Sequence, residues 1–168
     1  MSLHRLLNKG DRIKWNILSP LAAAVAFLKI VTQWWSWYSA GKLARSLTFE
    51  MFVGVIVGAV LLFLLAATSL PDVTEAEDVL DMSNYYRKTQ RRFWLLFAAH
   101  WTVVNGVSLW AQMQIEGAHL SLASPVFLIG PAAVVMAFVR VRWLHAACFI
   151  GLIFLYLTQF HGQHLIQS

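Results

Sequence analysis

The sequence predicts an all-α integral membrane bundle of five transmembrane helices, and three observations carry this prediction. Of the 168 residues, 59% are hydrophobic and only 12% are charged, whereas soluble proteins contain about 25% charged residues. The apolar residues form long runs, and one bilayer crossing needs about 20 of them in a helix. Most basic residues flank these runs, where positive charge sets topology. We therefore expect a lipid bilayer as partner and no nucleic acid, despite the net charge of +5.

The whole chain, residues 1–168, is predicted to be a single transmembrane helical domain. Four crossings follow from runs without charge, and a tight hairpin at Arg140-Val141-Arg142 joins the last two. The first crossing contains Lys29, but Trp15 and a Trp/Tyr cluster ending at Tyr38 mark both of its ends as interfacial. A helix lying flat on the membrane and a cleaved signal peptide are the alternatives for this segment. The predicted crossings are residues 15–38, 48–70, 93–115, 122–139 and 143–161.

The distribution of basic residues predicts the orientation. If the first segment crosses, ten of the 13 lysines and arginines lie on one side, and the other side has only Lys42 and Arg45. The positive-inside rule then places the N-terminus in the cytoplasm and the C-terminus in the periplasm of a bacterial inner membrane. If the segment lay flat, the later basic loops would move outside, against the rule. The ten residues are Arg5, Lys9, Arg12, Lys14, Arg87, Lys88, Arg91, Arg92, Arg140 and Arg142.

A short amphipathic helix is predicted over residues 75–90, on the cytoplasmic surface. Thr74 and Glu77 have the spacing of a capping box, in which each side chain bonds to a backbone amide of the first turn. The helix begins with acidic residues and ends with basic ones, which suits the helix dipole. We expect it to run into the third crossing.

Polar residues inside the crossings are the first candidates for function. Lys29 is the one formal charge well inside a span, and Glu50 is its expected partner, in either a structural ion pair or a functional site. Thr102, Asn105 and Gln112 share one face of the third helix, next to Ser108. This face is expected to point into the bundle, where it either bonds to other helices or lines a polar path.

Histidines suggest two further kinds of site. His100 and His145 could be the two axial ligands of a haem, but their predicted depths differ by about 7 Å, which disfavours the pair. Imidazole and carboxylate groups on the outer side could hold zinc or copper, although interfacial and loop histidines are the simpler interpretation. We therefore predict no cofactor. The metal candidates are Glu116, His119, His161 and His164.

Gly54 and Gly58 form a G-x-x-x-G motif, which allows close packing of another helix, within the chain or between subunits. The sequence contains no P-loop, dinucleotide-binding fingerprint, nucleophile elbow, zincin motif or kinase signature. These features predict a non-enzymatic subunit or scaffold that acts by helix association, as a homo-oligomer or in a membrane complex. The alternative is a small transporter or channel with a polar path inside the membrane, followed by haem or metal binding.

Four segments of the sequence resemble those of a group of uncharacterised multi-span inner-membrane proteins of bacteria. They lie mainly in the first 95 residues, and their motifs concern topology. The resemblance implies a location and no activity, and no catalytic residue follows from it. The segments are Leu18-Ser19-Pro20-Leu21, the cluster Gln33–Tyr38, Leu70-Pro71-Asp72, and Tyr85-Tyr86-Arg87 with Arg91-Arg92-Phe93-Trp94.

Overall fold

A computed structural model describes residues 13–14, 16–40, 48–71, 80–113 and 126–164 of the chain. These residues form five helices, so the all-α prediction is confirmed. A two-residue parallel pairing joins β1 (Ile13–Lys14) to β2 (Leu80–Asp81). The helices are α1 (Leu18–Ala40), α2 (Phe49–Ser69), α3 (Met82–Met113), α4 (Val126–Met136) and α5 (Arg142–His164).

Three of the described helices are long and apolar enough to cross a membrane, over Leu18–Tyr38, Phe49–Ser69 and Met82–Trp110. The apolar parts described for α4 and α5 are shorter, at Phe127–Met136 and Arg142–Thr158. Helices therefore lie where the first three crossings are predicted, and α2 differs from its predicted range by one residue at each end.

The first helix packs inside the bundle, against α2, α3 and α5. The Asn16 side chain caps its start by accepting from the Leu18 amide at 3.0 Å. Ser19 Oγ donates to the Met82 carbonyl at 3.3 Å, which ties the start of α1 to the start of α3. The residues buried in the bundle recur at helical spacing, as expected of one helix face. They are Leu18, Ser19, Ala22, Val25, Ala26, Lys29 and Gln33.

The third helix begins later than predicted. Residues 80–81 are extended, so the amphipathic helix expected over residues 75–90 starts at Met82 instead and continues unbroken to Met113. The Asp81 carboxylate accepts from the amides of Ser83 and Asn84, at 2.9 and 3.2 Å, and therefore acts as the N-cap. The capping box predicted at Thr74 and Glu77 lies outside the described residues.

The turn between α4 and α5 also differs from the prediction, because α4 ends at Met136 and not at residue 139. Its last turn tightens as the amides of Ala137 and Phe138 bond to carbonyls three residues back, at 3.2 and 3.0 Å. The Val139 carbonyl is then free of the helix, and it accepts from Gln90 Nε2 at 3.3 Å. This bond holds the turn against α3. Residues 122–125 of the predicted crossing lie outside the described residues.

Candidate functional site

Lys29 is buried in the bundle, with 7% of its surface exposed. Its Nζ lies 4.8 Å from the centre of the Trp101 ring and 5.9 Å from that of Tyr156. The electron-rich faces of aromatic rings attract a cation. Glu50, the expected partner, is exposed and forms no ion pair with Lys29. The predicted ion pair is therefore wrong, because aromatic rings from α3 and α5 take the place of a carboxylate.

Two buried polar atoms near Lys29 lack a hydrogen-bond partner. His100 is fully buried, and its Nδ1 lies 3.0 Å from the Gly58 carbonyl. A carbonyl only accepts, so Nδ1 carries the proton and Nε2 of the neutral ring is an acceptor. In the part of the chain that the structure describes, His100 Nε2 and Tyr156 Oη are the buried side-chain atoms without a partner. Each such atom costs about 1–3 kcal/mol, so a bound molecule that supplies partners would be favoured here.

We call Lys29, His100, Trp101 and Tyr156 the buried polar cluster. Lys29 contacts both aromatic rings and interacts electrostatically with His100. Lys29 is on α1, Tyr156 is on α5, and both His100 and Trp101 are on α3. The lysine and the tyrosine hydroxyl can donate to a small polar solute, and the free imidazole nitrogen can accept from it.

His145 lies in a different setting, although it is also buried. Its Nε2 donates to the Val139 carbonyl at 2.9 Å. Its Nδ1 accepts from Trp94 Nε1 at 2.8 Å and lies 3.0 Å from the Tyr86 hydroxyl. Phe149 stacks on Trp94 with ring centres 5.0 Å apart. We call Tyr86, Trp94, His145 and Phe149 the aromatic network.

The two histidines of the haem hypothesis therefore have different neighbours. Both ring nitrogens of His145 are engaged within the protein, so a metal could bind only after these bonds break. His100 has one free nitrogen. The structure does not bring the two together as ligands of one haem.

The polar residues on α3 are more exposed than predicted, although the Thr102 hydroxyl lies beside Gly130 of α4. Thr102 and Gln112 are exposed, as is Ser108, and Asn105 is half-buried. Three of the side chains donate to backbone carbonyls four residues earlier in the helix, at 2.7–3.0 Å. This local bonding satisfies a donor without a second helix, so the residues can lie outside. Thr102, Asn105, Ser108 and Gln112 are called the polar stripe below.

The polar stripe leads to the buried polar cluster. Trp101, Asn105, Ser108 and Gln112 follow one another at steps of four, three and four residues, so they lie on one face of α3. Exposure increases along this face, from buried Trp101 through half-buried Asn105 to exposed Ser108 and Gln112. The face thus connects the neighbour of Lys29 with the surface near the end of the helix.

The G-x-x-x-G motif of α2 faces α3. A methyl group in place of the Gly54 hydrogen would clash with Val107, and one on Gly58 would lie 3.5 Å from Val104. His100 Nδ1 bonds to the carbonyl of Gly58 itself, which also joins α3 to this motif. The motif is therefore covered within the chain, and it is not free to pack against another copy.

The metal candidates fall outside the part of the chain whose side chains are described. This holds for Glu116 and His119, and for the side chains of His161 and His164, which follow Gln159 on α5. The described residues contain no group of three or more histidine, cysteine or acidic side chains that could hold a metal ion.

Sequence reasoning found Lys29 and His100 but missed Tyr156 and the role of Trp101. No short spacing connects residues 29, 101 and 156, because their contact depends on how three helices pack. The available signal was that the first predicted span contains Lys29 but no acidic residue. Such a buried cation can instead be stabilised by aromatic rings. A comparison with family models, with curated proteins and with solved structures finds no match.

Proposed function

We propose that the chain is a five-crossing protein of a bacterial inner membrane, with a cytoplasmic N-terminus and a periplasmic C-terminus. Three described helices have the length and composition for crossing. The bond from Ser19 to Met82 and the cleft that Leu18 shares with Arg87 and Arg140 put the start of α1, the start of α3 and the α4–α5 turn at one end. Because basic residues are gathered at this end, the positive-inside rule favours a cytoplasmic position for it.

Within this topology, the chain is a non-enzymatic subunit that associates with a second copy of itself through the exposed face of α3. The observation that supports this function is the exposure of Thr102 and Ser108 within the part of α3 that is long and apolar enough to cross a membrane. Amide and hydroxyl groups in hydrocarbon favour contact with another helix. Gly106 is exposed on the same helix, and a methyl group there would meet nothing within 4 Å. A second helix can therefore approach closely at this position.

The substitution Gly106→Leu tests the association. Because the space at Gly106 is open, the larger side chain fits the single chain but blocks close approach of a second helix. We expect the association constant to fall about 5- to 30-fold, which corresponds to the loss of about 1–2 kcal/mol of interaction energy. Energy transfer between labelled copies in liposomes, measured over a range of protein-to-lipid ratios, gives this constant.

Gly151→Leu is the matched control, since Gly151 of α5 is also exposed with open space around it. It should leave association unchanged. Equal energy transfer in Gly106→Leu, Gly151→Leu and the unaltered chain would contradict the proposed interface. A monomer at every ratio would contradict association itself.

A second candidate function is a small transporter or channel, favoured by the polar face that leads from Gln112 to Lys29. The cluster at its buried end offers a cation and two polar atoms without partners. A water-filled path would give a solute access to Lys29 from the periplasmic side. Intramembrane charges commonly mark such paths.

Lys29→Cys tests this path in a Cys148→Ala background, which removes the only cysteine. A charged, membrane-impermeant thiol reagent added from outside should react with residue 29 if the path holds water. Val25→Cys is the control, because Val25 is fully buried one turn earlier on α1 and should stay unmodified. Protection of residue 29 to the same degree as residue 25 would contradict a water-filled path.

A further inference from the structure

Five basic side chains line one cleft between the start of α3 and the α4–α5 turn. The cleft has a volume of about 640 Å³, which is within the range of small-molecule sites. Ser83, Tyr86 and Gln90 add polar groups, and no acidic residue is among the described residues that line it. The basic residues are Arg87, Lys88, Arg91, Arg140 and Arg142.

The positive charge of this cleft is not neutralised by described side chains. Arg91 lies over the Phe138 ring, with its guanidinium carbon 4.9 Å from the ring centre. Arg87 has a neutral partner, Asn84, at 3.5 Å. Asp81, the nearest described acid in the sequence, caps α3. Like charges that no described acidic side chain pairs with repel one another, so an anion that enters the cleft would be bound favourably.

A second groove continues from the cleft along α3. Lys88 and Arg91 line both, and the groove passes Arg92 before it reaches Leu95, Leu96 and Ala99. It is shallow and open, and its floor changes from basic to apolar within three helical turns. A ligand that follows it must therefore have an anionic end and an apolar end.

We propose that this cleft and groove bind an anionic phospholipid, with the phosphate among the five basic residues and an acyl chain along Leu95, Leu96 and Ala99. Arginine suits this role because its planar fork donates two hydrogen bonds to a phosphate. Basic pockets at the cytoplasmic ends of transmembrane helices are suited to lipid phosphates. A free phosphate ion could use the cleft but would leave the apolar groove unused. The proposal does not depend on association of two copies.

Native mass spectrometry tests the proposal on the full chain, released from nanodiscs of defined composition. Phosphatidylglycerol should remain bound, whereas phosphatidylcholine with the same acyl chains should not. The double variant Arg140→Gln/Arg142→Gln should reduce phosphatidylglycerol affinity about 30-fold, from about 1 kcal/mol for each basic residue. Arg140→Lys/Arg142→Lys keeps the charge but loses the paired hydrogen bonds, so its affinity should fall between those of the unaltered chain and of the glutamine variant.

Lys42→Gln/Arg45→Gln is the control for net charge, because it removes two basic residues that the sequence places on the opposite side. It should bind phosphatidylglycerol as the unaltered chain does. Equal affinity in the Arg140→Gln/Arg142→Gln variant, or equal retention of phosphatidylcholine, would overturn the site. Displacement of the lipid by millimolar inorganic phosphate would contradict binding of an acyl chain in the groove, because it would show that only the phosphate is recognised.

Discussion

Two buried regions of the bundle, the aromatic network and the buried polar cluster, contain similar residues but differ in how far their polar atoms are hydrogen-bonded. Each combines a histidine, a tyrosine and a tryptophan from α3 and α5. In the aromatic network every ring nitrogen of His145 has a partner. In the buried polar cluster His100 Nε2 and Tyr156 Oη have none, and a lysine is added. Hydrogen-bond satisfaction therefore separates a polar group that stabilises the fold from one that is available to a ligand.

The difference has a cause in the positions of the two histidines. His145 lies close to the start of α5 and to the turn after α4, where backbone carbonyls are not used by a helix. The Val139 carbonyl is one of these, and it accepts from His145 and Gln90. His100 is in the middle of α3, where neighbouring carbonyls belong to helices. It bonds only to the Gly58 carbonyl of α2.

Trp94→Ala should have the largest effect on stability, because it opens a cavity at the centre of the aromatic network. Trp94 is 2% exposed, stacks on Phe149 and donates to His145. We expect the free energy of unfolding to fall by about 3–5 kcal/mol. Trp34→Ala is the control, since Trp34 is 70% exposed and its loss should change stability by less than about 0.5 kcal/mol. Thermal unfolding in detergent measures both, and equal melting temperatures would contradict a structural role for the network.

A pair of glycine substitutions tests the packing that lets His100 reach α2. Gly54→Ala forces a methyl group into Val107, so we expect a loss of about 1–3 kcal/mol. Gly58→Ala gives an ordinary contact of 3.5 Å with Val104 and should be close to neutral. Urea unfolding of both variants in mild detergent would show the difference. A larger loss for Gly58→Ala than for Gly54→Ala would mean that α2 and α3 pack in another register.

The sequence predicted the helices well because a bilayer crossing requires a long apolar run, which one-dimensional inspection reveals. Phe49–Ser69 is the clearest example. The ends of the helices were predicted less accurately, because local hydrogen bonds decide where a helix starts and stops. Asp81 caps the start of α3, and the bonds of the two residues after Met136 end α4. The contacts of Lys29 with Trp101 and Tyr156 were not predictable, because they join helices that are distant in sequence. The exposure of Thr102 was not predicted, because its hydroxyl bonds within its own helix and so does not need burial against another one.

Tyr86→Phe and Tyr156→Phe form the sharpest test of the comparison, although their expected effects are the smallest. Both hydroxyls are buried, and each substitution removes one oxygen. Tyr86 Oη bonds within the aromatic network, so its loss should cost about 1 kcal/mol. His145 Nδ1 keeps its bond to Trp94 Nε1, which prevents a larger effect. Tyr156 Oη has no partner, so its removal should be neutral to within about 0.5 kcal/mol, or slightly stabilising.

The same two variants distinguish an empty cluster from an occupied one. Thermal unfolding of the purified protein should give Tyr156→Phe a melting temperature at or above that of the unaltered chain, and Tyr86→Phe a lower one. If Tyr156→Phe is instead destabilised more than Tyr86→Phe, then a water molecule or a ligand bonds to the Tyr156 hydroxyl in the folded protein. Lys29→Met would then be destabilised as well if the same molecule contacts Nζ, because a buried polar ligand loses a charged partner. A neutral result for Lys29→Met beside a destabilised Tyr156→Phe would separate the two residues and limit the site to α3 and α5.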